Sequence, residues 1–223
     1  NFANNLAHVP VGLFGISFAV SAFPILAKQI AEKKEQEFTQ TIYKTVSQIL
    51  FFLTPTMVFF VLLDEQIVRL VYGAGEFSWE STLLTAKVLL YFVPGIIAQA
   101  LIPLVSRGFY ALKDTKHPLY ASIIALILTL ITSYLFTFVY TMGVPGLAAA
   151  FSISTIVQFF LMVYWLKLPV KHDIGLRQVR STIIQIVIAS IAMLLVLQFT
   201  KDLSGGYLDL LTVKGVLTHF LFP

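Results

Sequence analysis

Long apolar runs separated by short polar connectors make up most of the chain, and the runs have the length of helices that cross a bilayer. Six spans are predicted, over residues 6–27, 47–63, 83–105, 119–139, 145–166 and 182–200, and a seventh is expected to begin near Leu208 and to be truncated. The expected fold is all-α: a polytopic transmembrane helix bundle, with residues 1–200 as the bundle and 201–223 as a loop and the start of a further span. Residues 1–5 have neither an initiating Met nor a basic leader, and the chain stops inside an apolar run. It therefore reads as a piece of a longer multi-span protein.

Proline and glycine interrupt the first three spans: Pro10, Gly12, Gly15 and Pro24 in the first, Pro55 in the second, and Pro94, Gly95 and Pro103 in the third. A proline removes a backbone donor, which lipid tolerates only where a neighbouring helix or a wet cavity satisfies the freed carbonyl. Helices bent at these five prolines are expected to leave a central cavity. Asn4, Asn5 and His8 stand at the start of the first span, either lining a polar vestibule or simply hydrated. Lys87 lies about a turn inside the third span, where a central lysine costs about 2.5–3.5 kcal/mol on insertion scales. It either snorkels to the nearby surface or faces a wet interior.

The connectors differ. Residues 28–44 turn polar, and Leu26, Ile30, Phe38, Ile42 and Val46 recur through and around them every four residues or multiples of four, with Lys33, Lys34, Glu35 and Glu37 on other faces, which predicts an amphipathic connector on the bilayer surface. Gly73 and Gly75 predict a chain reversal. Residues 107–118 predict a membrane-surface turn with Tyr110 at the interface, Arg107, Lys113 and Lys116 available to anionic headgroups, and Pro118 in the first turn of the next helix. The simpler reading of that turn is a basic loop that only holds topology. Lys and Arg concentrate in the first, third and fifth connectors, so the positive-inside rule places these in the cytoplasm.

Ser122, Thr129, Thr132, Ser133 and Thr137 suit the fourth span to interhelical hydrogen bonds, and the small residues from Pro145 to Ala150 let another helix approach the fifth closely. Tyr164 and Trp165 are expected at the interface, and the aliphatic sixth span against lipid.

Composition agrees: 58% of the 223 residues are hydrophobic and 12% charged, which makes this an integral membrane protein. With no cysteine there is no disulfide framework and no thiolate chemistry. The net charge of +4 belongs to short loops between spans, which argues topology and no nucleic-acid partner. No hydrolase, ATPase or metal-ligand motif occurs, and His8, His117, His172 and His219 make no ligand spacing with one another. No cofactor, no metal and no enzymatic activity are expected. What remains is the build of a transporter.

Several motifs point further. Pro10-Val11-Gly12-Leu13-Phe14-Gly15 with Phe23-Pro24, then Tyr72-Gly73-Ala74-Gly75-Glu76-Phe77, then Gly108-Phe109-Tyr110-Ala111 with Asp114-Thr115-Lys116-His117-Pro118, then Gly143-Val144-Pro145-Gly146-Leu147-Ala148 resemble, in order and spacing, the C-terminal half of the MurJ (MviN) flippase family of the multidrug/oligosaccharidyl-lipid/polysaccharide exporter superfamily. The resemblance covers roughly residues 1–152. It implies half of a two-bundle transporter, with an N-terminal half as partner, in a bacterial cytoplasmic (inner) membrane. Its substrate would be lipid II, a lipid-linked glycan pyrophosphate, moved between leaflets by alternating access. That requires a cationic hydrated cavity and a lipid groove, with Lys87 and Arg107 as candidates for the former. The family often carries an Arg where this chain has Asn5, so that charge is missing or supplied elsewhere. Some members place Asn and Asp four apart as part of a cation site, where Thr129 and Ser133 stand here. The alternatives are a polysaccharide or multidrug exporter, disfavoured because all eleven acidic residues lie in connectors or at span ends, and a non-transporting scaffold for cell-wall enzymes.

Overall fold

α1 (Phe2–Pro10) passes directly into a π-helical segment (Val11–Ile16) and then α2 (Ser17–Ala31), so Phe2–Ala31 forms one 30-residue span. The computed structural model describes residues 2–72, 79–166 and 184. α3 (Glu35–Leu62) returns, the short α4 (Asp64–Tyr72) follows, and α5 (Trp79–Ala111), α6 (Lys116–Tyr134), a second π segment (Leu135–Val139) and α7 (Val144–Leu166) complete the described chain. Five of these stretches are long and apolar enough to span a membrane. The predicted sixth span apart from residue 184, the truncated seventh, the 201–223 segment and the turn at Gly73 and Gly75 lie outside the described residues.

α5 is the centre of the bundle. It packs against α1, α2, α3, α4 and α7, and Leu89, Ile96, Ala100 and Leu104 are fully enclosed. Leu26 from α2, and Ile49 and Leu53 from α3, close the core around it. Close approach is possible because small residues stand where backbones meet. A Cβ on Gly15 would lie 2.5 Å from Ala100 O, and one on Gly95 would lie 2.7 Å from Ser152 Cα. α6 rests chiefly on α7 through the narrow stripe Pro118, Ala121 and Ala125.

Four expectations need correction. The surface connector over residues 28–44 does not form: only residues 32–34 leave the helix, and α3 carries Phe38, Ile42 and Thr45 into the core. Those buried positions extend the stripe of the apolar part, and Gln29 Nε2 donates to Thr41 Oγ1 at 2.9 Å to join α2 to α3. The turn expected over residues 107–118 is shorter, because α5 stays helical through Ala111 and only residues 112–115 reverse the chain, with Lys113 at φ 59°. The prolines do not break their spans. The chain is helical through Pro24, Pro55, Pro94 and Pro103, and only Pro10 borders a change of helix type. Near Pro94, Ser152 Oγ of α7 donates to Tyr91 O at 2.6 Å, supplying a donor in the turn that proline weakens. The hydroxyls of α6 turn inward on their own helix: Ser122, Thr129 and Thr132 donate to the carbonyls four residues back at 2.7–2.9 Å. Across helices, Gln158 Nε2 donates to Ser122 Oγ at 3.1 Å.

Candidate functional site

The first span has two unlike faces. Ala7, Val11, Gly15, Ala19, Ala22 and Leu26 recur every three or four residues and are buried against the bundle. On the other side Asn5, His8, Ser17, Ser21, Pro24 and Lys28 are exposed, Asn4 and Gly12 are half-exposed, and a Cβ on Gly12 would meet nothing within 4 Å. Ser17 Oγ donates to Gly12 O at 3.2 Å and Ser21 Oγ to Ser17 O at 2.9 Å, so the hydroxyl oxygens keep their acceptor capacity outward. A polar stripe thus runs the depth of an otherwise apolar wall.

Arg107 stands near one end of that wall, a turn before the end of α5, where the helix dipole favours a cation. Its guanidinium carbon lies 5.8 Å from the centroid of the Phe23 ring, and its Nε is buried without a hydrogen-bond partner. Beside it Gly108 brings α5 close to Ile42 and Leu166. Lys87 is elsewhere: twenty residues along the same helix, it stands about 30 Å from Arg107, so the two candidate cations do not share a site. It borders a cavity of about 390 Å³ with Asp64, Glu65, Glu80 and Tyr91.

The α5–α6 turn is built around a pair not foreseen as such. Asp114 Oδ1 accepts the backbone N–H groups of Lys116 at 3.0 Å and His117 at 3.3 Å, two of the donors left open at the start of α6. Asp114 Oδ2 meets His117 Nδ1. The imidazole lies near-parallel to Phe109 (5.8 Å) and against Trp165 (5.4 Å), tying α5, α6 and α7 together. Burial pushes the Asp114 carboxyl up, but the hydrogen bonds from the His117 side chain and from the His117 and Lys116 backbones outweigh it and leave it below the ordinary carboxylate value. Pro118 is buried in the first turn of α6, Tyr110, Lys113 and Lys116 are exposed, and Phe109 is buried. At the neighbouring turn Lys34 lies 2.9 Å from Glu32 and 3.7 Å from Glu37. Its hydrogen bond, then its charge, holds Glu32 below the ordinary carboxylate range, and Glu32 raises Lys34 in return.

The ends of the bundle therefore differ in charge. Lys28, Lys33, Lys34, Lys44, Arg107, Lys113 and Lys116 gather at one, and Arg69 and Lys87 stand at the other. Sequence reasoning found the cations but missed Phe23 beneath Arg107 and Asp64 and Glu65 across from Lys87, because contacts across helices leave no spacing signal. Among the described residues no group of three His, Cys, Asp or Glu side chains could hold a metal ion.

Comparison with known proteins fits this architecture. The family described as Lipid II flippase MurJ matches residues 1–213. The probable lipid II flippase MurJ of Thermotoga maritima is 26% identical over 220 residues, covering 99% of this chain and 44% of that protein. The lipid II flippase MurJ of Thermosipho africanus is 27% identical over 223 residues, with 99% and 43% covered. A solved structure of lipid II flippase MurJ in an inward closed conformation superposes with a TM-score of 0.74 at 26% identity, over 99% of this chain and 44% of that one. The chain spans less than half the length of these relatives. With an all-helical multi-pass membrane bundle, a solved relative of the same fold and a family match over nearly its whole length, this chain belongs to the MurJ family.

Proposed function

We propose that the chain is the C-terminal part of a flippase that carries lipid II from the inner to the outer leaflet of a bacterial cytoplasmic membrane by alternating access. The observation that carries this reading is the family match over residues 1–213. The geometry adds a physical rationale. A polar stripe from Asn5 and His8 to Ser21 and Pro24 offers a pyrophosphate-sugar headgroup hydrogen bonds along a wall whose remaining exposed residues, such as Val9, Leu13 and Val20, suit its lipid tail. Arg107, lacking an ion-pair partner among the described residues, is the cation that meets the pyrophosphate at the basic end. By the positive-inside rule that end faces the cytoplasm, where lipid II would be loaded. The remainder of the protein supplies the second bundle. This is transport rather than enzyme chemistry.

The test is complementation in cells depleted of their own flippase, with the whole protein that carries this chain. Wild type should restore growth and outer-leaflet exposure of the labelled precursor, Arg107→Ala should lose both, and Arg107→Lys should keep part. Full export by Arg107→Ala at equal membrane abundance refutes the assigned role, and failure of the wild type to export precursor refutes the flippase reading in favour of a scaffold or an exporter of another cargo.

A further inference from the structure

The cavity beside Lys87 serves none of the steps above. It lies at the end of the bundle opposite Arg107, between the start of α4 and one face of α5. α5 has 33 residues, about 50 Å of helix against roughly 30 Å of hydrocarbon, so about two turns protrude at each end and Lys87, the ninth residue, falls at the bilayer surface. The charges here are held apart. Glu80 and Lys87 are seven residues apart on one face of α5, about 10 Å along the axis, with Glu65 facing them from α4. Among the described residues none of the three forms an ion pair within 4.0 Å, and Glu65 Oε2 is closed off from solvent with no hydrogen-bond partner. Asp64 is already used, its Oδ1 accepting the Glu65 backbone N–H at 2.9 Å. The rest of the wall is apolar, and Leu83 and Leu84 are 38% and 46% exposed, carrying the greasy lining outward to the lipid side.

From this juxtaposition we propose that the cavity binds the headgroup of a zwitterionic phospholipid bearing a primary ammonium, with the ammonium on Glu65 and Glu80, the phosphate on Lys87, and an acyl chain along Leu83 and Leu84. A metal ion would need a set of oxygen ligands gathered on one point, and among the described residues no group of three His, Cys, Asp or Glu side chains provides it. An anionic lipid would satisfy Lys87 but would face two unneutralised carboxylates. A quaternary ammonium could be attracted but could donate no hydrogen bond to Glu65 Oε2. The site does not rest on the transport reading, since Asn5, His8, Ser21 and Arg107 are not among its lining residues and its test reads lipid retention.

The test uses the whole protein in mixed-lipid nanodiscs, with phosphatidylethanolamine, phosphatidylglycerol and phosphatidylcholine of one acyl composition and native mass spectrometry of retained lipid. Wild type should retain phosphatidylethanolamine about tenfold over either competitor, and Lys87→Glu and Glu80→Lys should each abolish that preference. Equal retention of the three lipids by wild type, or a preference for phosphatidylglycerol, overturns the proposal, as does an unchanged preference in both variants. Binding of acyl-free glycerophosphoethanolamine as tight as that of the lipid overturns the lipid assignment in favour of a soluble zwitterion.

Discussion

α5 and α6 have equal mean hydropathy over their most apolar stretches, yet 56% of that stretch is buried in α5 and only 6% in α6. The difference lies in side-chain size at the contact. In lipid, apolar surface has no drive to leave its surroundings, so a helix is drawn inside by how closely its backbone can approach its neighbours. α5 offers Ala86, Gly95, Ala98, Ala100 and Gly108 around its circumference and is packed on several sides. α6 offers a single small-residue stripe and turns Leu126, Ile127, Leu130 and Ile131 outward.

That contrast can be broken most sharply by truncation. Leu104→Ala, at a fully buried position of α5, leaves a cavity and should cost about 2 kcal/mol, the low end of the range for cores because lipid supplies no transfer term, whereas Leu130→Ala on α6 should be silent in the same reversible unfolding assay. Equal effects would mean that the α6 face is covered in the assembled protein. Next come the glycine contacts: Gly15→Leu and Gly95→Leu, which force atoms into Ala100 and Ser152, should each destabilise by about 1–3 kcal/mol, while Gly12→Leu should fold normally, as read by thermal midpoint in detergent. Ser152→Ala removes the donor to Tyr91 O and should cost about 0.6 kcal/mol, an effect that Tyr91 side-chain substitution should not reproduce. The smallest effect belongs to the α5–α6 turn. Because the Asp114 carboxyl is lowered from its ordinary 3.8, the folded protein binds fewer protons there than the unfolded chain. Its contribution is therefore complete above that value and lost as the pH falls through the lowered one. Acid melting curves of Asp114→Ala and wild type should converge in that window and separate above it.

The five described spans were legible because apolar length needs no partner to be read, and the family motifs that fall on described residues because they sit at the α5–α6 turn and at close helix contacts. Burial order was not. Nothing in the run of α5 announces that Leu89 and Leu104 are enclosed while Leu126 of α6 is bare, since that depends on which helix lies opposite. Charge misled at two boundaries: Lys33, Lys34, Glu35 and Glu37 hid the fact that Phe38, Ile42, Ile49 and Leu53 are one continuous stripe, and Arg107 suggested a loop where α5 continues for another turn. Of the candidate path residues, Asn5 and His8 share an exposed face as a sequence pattern can suggest, and the separation of Arg107 from Lys87 was already implicit in their places at opposite ends of the third predicted span.

The π segment after Pro10 sets the rotational phase of everything ahead of it. The π ladder fits one extra residue into about the rotation of the α-helical turns it replaces, so closing Val11–Ile16 as ordinary α-helix with its length unchanged would swing Asn5 and His8 by about 100° relative to Ser21 and Pro24. The two halves of the polar stripe would then look in different directions, although no side chain on it had been altered.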